Sequence, residues 1–381
     1  MSQFDLTESQ IAIREMARDF AADKLAPNAL SWDENKHFPV DVLREAAGLG
    51  MGGIYVREDV GGSELTRFDA ALIFEALAAG DPSIAAYISI HNMVTWMIDR
   101  FGSEEQRKRW VPQLCTMASL GSYCLTEPNA GSDAVALKTR AVMEGDHYVL
   151  NGQKQFISGA GVSDIYVVMV RTGGEGASGI SALVVPADTP GLSFGAIERK
   201  MGWNAQPTRA VVFDDARVPI ANRLGGEGTG FKIAMAGLDG GRLNIAACSL
   251  GGAQSALDKA LSYMRDRKAF GKSLTEFQAL QFRLADMATE LAAARLFLYA
   301  AAAAYDSGHP ETTMRCAMAK RFVTDIGFKV ANEALQMHGG YGYLSDYGIE
   351  KIVRDLRVHQ ILEGTNEIMR LIIARKLIAE S

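Results

Sequence analysis

Between residues 118 and 223 the spacing of apolar residues changes character, and this limits the fold more than any other feature of the chain. Up to about residue 117 apolar residues recur at helical intervals, interrupted by the Gly-rich stretches GLGMGG (48–53) and DVGGS (59–63). Within 118–223, IYVVMV (165–170) and ISALVV (180–185) are short continuous apolar runs suited to buried strands. RAVVFDDARVP (209–219) reads as a further strand, and Asn151-Gly152 inside YVLNGQKQFI predicts a hairpin turn. From Gly230 onward the helical spacing returns. Leu280, Leu284, Met287, Leu291, Ala294 and Leu298 follow one another at steps of four and three, a stripe for helix packing within a subunit or across an interface. The expected architecture is therefore mainly α with a central β domain: helices over 1–117, a compact β unit over 118–223 and helices over 224–381. With 381 residues, 48% of them hydrophobic, the chain can fill cores of that extent.

Charge and composition remove several function classes. A net charge of −6 supplies no basic face for nucleic acid, so an anionic ligand must be held by local groups. The four cysteines (Cys115, Cys124, Cys248, Cys316) are far apart and form no CxxC, which argues against a disulfide or zinc framework. His359 and Glu363 stand four apart without a third ligand nearby, so no metal site is expected. The N-terminus has no signal-peptide core and too many acidic residues for a transit peptide. Thr7 and Gln10 there form a capping-box pattern ahead of an amphipathic helix. No run approaches the ~20 apolar residues of a membrane span. The expectation is a soluble protein of a reducing compartment, the bacterial cytoplasm or a mitochondrial matrix after loss of a presequence.

Two strings match GxGxxG, yet GLGMGG follows a helical segment and GEGASG (174–179) links two strands with no helix after it. Neither places a helix N-terminus against a pyrophosphate, so both read as turns. Four other segments carry polar groups that need an explanation. YCLTEPNAGSD (123–133) is either a plain loop of turn formers or a site where Thr126, Ser132 and free amides meet a ring edge or phosphate. QFISGAG (155–161) sets Phe156 beside the Ser158 hydroxyl, a pairing that suits a flat heterocycle, although a buried core aromatic is the more common outcome for such a residue. DRKAFGKSLTEFQALQ (266–281) places Arg267, Lys268 and Lys272 around Phe270, a basic turn or a phosphate and adenine contact. In HQILEGTNEIMR (359–370), Glu363 precedes a Gly-Thr turn and a helix for which Thr365 is the N-cap candidate and Glu367 suits the first turn. Glu363 itself lies outside the helix, as a solvated loop charge or as a base aimed into a pocket.

YCLTEPNAGSD and QMHGGYGY (336–343), the latter followed by EKIVRDLRVHQILEGTNEIMR, resemble the two signatures of the acyl-CoA dehydrogenase family, in order and over essentially the whole chain. The resemblance implies an N-terminal helical domain, a middle β-barrel-like domain and a C-terminal four-helix bundle, FAD as cofactor and a homotetramer built as a dimer of dimers. It implies Glu363 as the base that removes the α proton while a β hydride leaves on the opposite face. Thr126 and Ser158 would bond the flavin ring and Phe156 would cover it, at a position where many relatives carry Trp. Arg267, Phe270, Gln336 and Gly340 would reach the FAD of a neighbouring subunit. Thr365 and Glu367 match positions near the adenosine half, the second often Gln in relatives. Ser132, Asp239, Arg242 and Arg375 match positions that meet CoA.

GISALVV, KMGWNAQPTRAVVF and GLDGGRLNIAACSLG look most like the branch acting on short branched acyl groups in valine breakdown. The expected reaction is isobutyryl-CoA to methacrylyl-CoA with electron transfer flavoprotein as acceptor; 2-methylbutyryl-CoA, short straight-chain substrates, a flavin oxidase on the same scaffold and a non-enzymatic FAD-binding role are the alternatives. Isovaleryl-type enzymes hold their base at the position of Gly241. The glycine here leaves Glu363 to serve, and leaves room near the substrate α carbon.

Overall fold

A computed structural model gives the fold and describes residues 6–380; the first five residues of the N-terminal reading lie outside it. The N-terminal part is helical, with α1 (Glu8–Phe20), α2 (Ala29–Asn35), α3 (Val40–Gly48), α4 (Arg67–Gly80), α5 (Pro82–Phe101) and α6 (Glu104–Cys115). Its starts are written in the sequence. Thr7 and Gln10 form the expected reciprocal capping box, Thr66 with Asp69 and Ser103 with Gln106 repeat it, and Asp81 caps α5 ahead of Pro82.

The strands β1 (Gly121–Cys124), β2 (Arg140–Glu144), β3 (His147–Ser158), β4 (Ile165–Arg171), β5 (Ile180–Pro186), β6 (Leu192–Phe194), β7 (Thr208–Pro219) and β8 (Arg223–Leu224) form one sheet. Its order is β6-β7-β3-β2-β4-β5-β8, with β1 added parallel to β4. The apolar run Ile165–Val170 of β4 is buried on both faces. Ile165, Val167 and Met169 face α5, α6 and their neighbours, while Tyr166, Val168 and Val170 fill the β unit's own core.

One turn differs from expectation. Asn151-Gly152 makes no hairpin; it sits inside the twelve-residue strand β3, where the register with β7 slips between Leu150 and Gly152. Asn151 and Asp215 clamp the irregularity through two mutual hydrogen bonds of 2.9 and 3.0 Å. A bulge and a hairpin share the demand for a residue at positive φ, which Gly152 meets at 143°. The actual β2–β3 hairpin turns at Gly145-Asp146, with Gly145 at φ 62°.

The C-terminal helices are α7 (Gly230–Asp266), α8 (Gln278–Asp306), α9 (Thr312–Met337), α10 (Ile349–Arg357) and α11 (Asn366–Glu380). A two-strand ribbon of β9 (Lys268–Ala269) and β10 (Lys272–Ser273) joins α7 to α8. By length and composition α8 is apolar enough to cross a membrane. Its stripe of Met287, Leu291, Ala294 and Leu298 is instead buried in the helical core, with Leu280 and Leu284 packed at the margin. Helix α7 is the spine of the molecule, 37 residues and so roughly 55 Å long, packing against α4, α5, α8 and α9. Its small residues allow this: a side chain at Gly251 would strike the Glu75 carbonyl of α4, and one at Gly327 of α9 would strike Ser249.

Candidate active site

Glu363 sits between α10 and α11 on a turn in the left-handed region, φ 54° for Glu363 and 90° for Gly364. A non-glycine residue there is strained by about 1–3 kcal/mol, so the surroundings must hold it in place. They do so with charge. The Arg242 Nε–H donates to the Glu363 carbonyl at 3.4 Å, and Arg242 is itself fixed by Asp239 at 2.6 Å. The buried Lys320 ammonium donates to the Gly364 carbonyl at 2.8 Å and to Asn366 Oδ1 at 2.9 Å. Thr365 accepts from the Ile368 amide at 3.3 Å, which is the expected N-cap, and Glu367 occupies the first turn of α11. Asn366 and Gln360 both donate to Asp325, closing the loop onto α9.

The residue is only half-buried, but its carboxylate is aimed inward. Oε2 is sealed from solvent and has no hydrogen-bond partner among the described residues. Burial pushes the Glu363 carboxyl up to about 7, against the opposing pull of Arg242, Lys320 and Arg67. Burial likewise lowers Lys320 to about 8, with the Glu363 carboxylate acting the other way. Such a carboxylate can accept a proton near neutral pH, which an ordinary exposed glutamate does poorly. The room left by Gly241 is not empty space. A Cβ there would lie 2.3 Å from Glu363 Oε2, so the carboxylate itself occupies it in this state.

Thr126, Phe156 and Ser158 gather at one end of the sheet. The Gln155 amide donates to the Thr126 carbonyl at 2.8 Å, and the Ser122 hydroxyl donates to the Ser158 carbonyl at 2.6 Å. Phe156 is 64% exposed at φ 60°, a second strained backbone, so it presents an aromatic face to the outside instead of filling the core. The loop after β1 is pinned by a buried ion pair, Glu127 to Lys154 at 2.8 Å. Glu127 also accepts from the Lys138 and Thr139 amides at 2.6 and 2.9 Å. Burial works against ionisation of Glu127, yet Lys154 and these bonds hold its carboxyl below the usual range. Ser132 lies on the exposed part of the same loop.

A third group lies on the outer surface. Phe270 is 95% exposed at φ 52°, at the tip of the β9–β10 ribbon beside Gly271. Arg267 ends α7 and stacks over Tyr341, 5.4 Å from its ring centre. This links it to the segment that carries Gln336 and Gly340, both exposed, with nothing near the position a Gly340 side chain would take. Asp239 accepts from Thr313 at 2.7 Å beside Arg242, while Arg375 is exposed on α11. Thus Asp239, Arg242, Thr365 and Glu367 stand with Glu363, and Thr126, Phe156 and Ser158 stand together at the sheet. Lys320, Lys154 and Glu127, which hold these groups, escaped the sequence reading because isolated charges give no sign of burial. Two surface grooves, of about 520 Å³ between α8, α9 and α11 and about 630 Å³ beside α6, are lined by none of these residues.

Comparison with known proteins bears on the family and the fold. Family models described as acyl-CoA dehydrogenase N-terminal, middle and C-terminal domains match residues 7–118, 122–216 and 228–378. The chain is 57% identical to the mitochondrial isobutyryl-CoA dehydrogenase of Bos taurus over 375 residues, 98% of this chain and 90% of that protein. It is 58% identical to the protein of the same name from Dictyostelium discoideum, with the same shares covered. Among solved structures, the butyryl-CoA dehydrogenase of Megasphaera elsdenii superposes with a TM-score of 0.96 at 39% identity, covering 99% of this chain and 100% of that one. A helical, β and helical unit matched in order along the whole chain, with a buried carboxylate ahead of the last helix, leaves one assignment: the chain belongs to the acyl-CoA dehydrogenase family.

Proposed function

We propose that the protein desaturates a short branched acyl-CoA, isobutyryl-CoA to methacrylyl-CoA, with Glu363 as the base. The carrying observation is the Glu363 carboxylate, inward-facing, without a hydrogen-bond partner at Oε2 and poised near neutrality. The identity to isobutyryl-CoA dehydrogenases supports the branch. Glu363 takes the proton α to the thioester. Its own N–H, which has no acceptor among the described residues, is available to hold the thioester oxygen as negative charge develops there. Arg242 and Asp239 keep the turn in register and stand where the CoA end of the substrate approaches, with Ser132 and Arg375 as further CoA contacts.

Members of the family are FAD-dependent, and the residues present fit that cofactor. The outward aromatic face of Phe156, beside the half-buried Thr126 and Ser158, suits one face and edge of a flat ring. When bound, FAD supplies the acceptor for the β hydride. In this reading Thr126, Ser158 and Phe156 hold the ring, Thr365 and Glu367 lie toward the adenosine half, and Arg267, Phe270, Gln336 and Gly340 serve the FAD of a neighbouring subunit. A homotetramer follows. The exposure of Phe270, Tyr343 and Ile378 at 95%, 85% and 74%, and the apolar groove lined by Phe297, Phe322, Ile373 and Leu377, support it. The reading includes electron transfer flavoprotein as acceptor and a division of the chain at residues 117 and 223.

The test is an anaerobic titration of the flavin-loaded protein with isobutyryl-, 2-methylbutyryl-, isovaleryl- and butyryl-CoA, following loss of oxidised-flavin absorbance. Bleaching is expected fastest with isobutyryl-CoA and slowed by roughly 10²–10⁴-fold or more in Glu363→Gln. Fastest bleaching with another acyl group would replace the substrate. No bleaching with any of them would overturn the desaturase reading.

A further inference from the structure

Arg67 is a cation buried where an acyl-CoA enzyme has no evident need of one. It is the first residue of α4 and only 4% exposed. Aromatic faces hold its guanidinium: the Cζ lies 3.4 Å from the ring centre of Tyr55, 5.1 Å from Trp96 and 5.2 Å from Tyr305. Among the described residues no carboxylate pairs with it. Its backbone is fixed as firmly, by the Thr66–Asp69 capping box and by Asp306, which accepts from the Arg67 and Phe68 amides at 2.8 and 2.9 Å.

The glycine step of α7 locates this cation relative to the base. A Cβ on Gly240 would lie 2.6 Å from the Arg67 Cζ, and a Cβ on the next residue, Gly241, would lie 2.3 Å from Glu363 Oε2. Consecutive helical residues differ by about 1.5 Å in rise, so guanidinium and carboxylate lie against the same short stretch of helix in adjacent directions. One turn further on, Asn244 donates to the Tyr55 hydroxyl at 3.2 Å and to Ser89 Oγ at 3.0 Å. The base therefore has beside it, along α7, the Arg67 guanidinium in its aromatic cage and the hydrogen-bonded Asn244. Acyl carbons that extend from Glu363 along this stretch of α7 would meet the Arg67 guanidinium, and each added methylene would press on a buried cation.

Resting on Glu363 as the base, we infer that Arg67 is a specificity-determining residue, the stop that limits the acyl group to a short chain. Its charge also opposes the rise of the Glu363 carboxyl, but the length limit follows from where it stands. The experiment compares kcat/KM of the holoenzyme for propionyl-, isobutyryl-, butyryl- and hexanoyl-CoA in the native protein, Arg67→Met and Gly240→Ala. Arg67→Met keeps an apolar stem in the aromatic cage and removes the charge. It is expected to raise the hexanoyl-to-isobutyryl ratio by at least about tenfold, chiefly through KM for hexanoyl-CoA. Gly240→Ala drives a methyl against the guanidinium and pushes it toward the acyl group, so the butyryl-to-propionyl ratio should fall severalfold. The Gly240→Ala arm decides the matter if Arg67→Met fails to fold or to retain FAD. Chain-length ratios unchanged within about twofold in a folded, flavin-loaded variant overturn the inference while leaving the base intact. A native protein that turns over none of these thioesters overturns the desaturase reading instead.

Discussion

Three aromatic or acidic side chains at the candidate site, Phe156, Phe270 and Glu363, stand on backbone at positive φ, where only eight non-glycine residues of the described chain are found. That concentration points to backbone strain used to aim side chains, because each position could relax with glycine or asparagine at lower energy. For Glu363 the aim decides the proton chemistry. Its carboxyl, raised to about 7 by burial, must be ionised to accept a proton, so kcat/KM should fall as pH drops below about 7. Lys320 opposes that rise. Replacing it in Lys320→Met removes a cation that favours the carboxylate, and the acid limb of the pH profile should move to higher pH. An unmoved or lowered limb, in a variant with native flavin content, would show that Lys320 does not help to set the value.

The loop between β1 and β2 is irregular over some fifteen residues, yet it must hold Thr126 in place beside Phe156. Its anchor is Lys154, fully buried on β3, which donates to Glu127 and to the Leu125 carbonyl at 3.1 Å. Lys154→Met leaves the Glu127 carboxylate buried without its cation, and we expect a loss of about 3–5 kcal/mol together with weakened flavin retention. Thermal denaturation and the flavin-to-protein ratio read the two effects separately; loss of stability with full flavin content would confine the pair to a packing role. Neither partner announces itself in the sequence, since an isolated Lys and Glu 27 residues apart look like surface charges. What the sequence does display is local. Capping boxes at Thr7, the N-cap at Thr365 and the unbroken apolar run of β4 each follow from a short-range rule and appear as expected. Asn151-Gly152 marks the limit of such rules. A positive-φ signal tells that the backbone must bend without telling whether a turn or a bulge does it.

Long-range assembly depends on a second buried charge cluster. Lys351 of α10 lies between Asp81, the N-cap of α5, at 3.3 Å and Asp355 at 2.7 Å, all three nearly or wholly buried. Asp355 in turn accepts from the Trp203 amide at 2.6 Å, so one cluster joins the N-terminal helices, the β unit and the C-terminal helices. Burial and Asp81 raise the Asp355 carboxyl against the pull of Lys351. We expect Lys351→Met to lower the unfolding midpoint by an amount equivalent to about 3–5 kcal/mol, and a Lys351→Met/Asp355→Leu pair to regain part of it. A single variant as stable as the native chain would show that the carboxylates protonate at little cost. The sheet tells the same story of shared interiors. Because Val167, Met169 and Val184 of the β unit are buried together with Met97 of α5, Leu114 of α6 and Ile233 of α7, the central segment is no cassette. Gene exchange between relatives at the two texture boundaries would transplant a surface matched to someone else's helices, so viable chimaeras should carry α5 to α7 along with the strands, and the family should diversify by substitution within an intact chain more readily than by shuffling its parts.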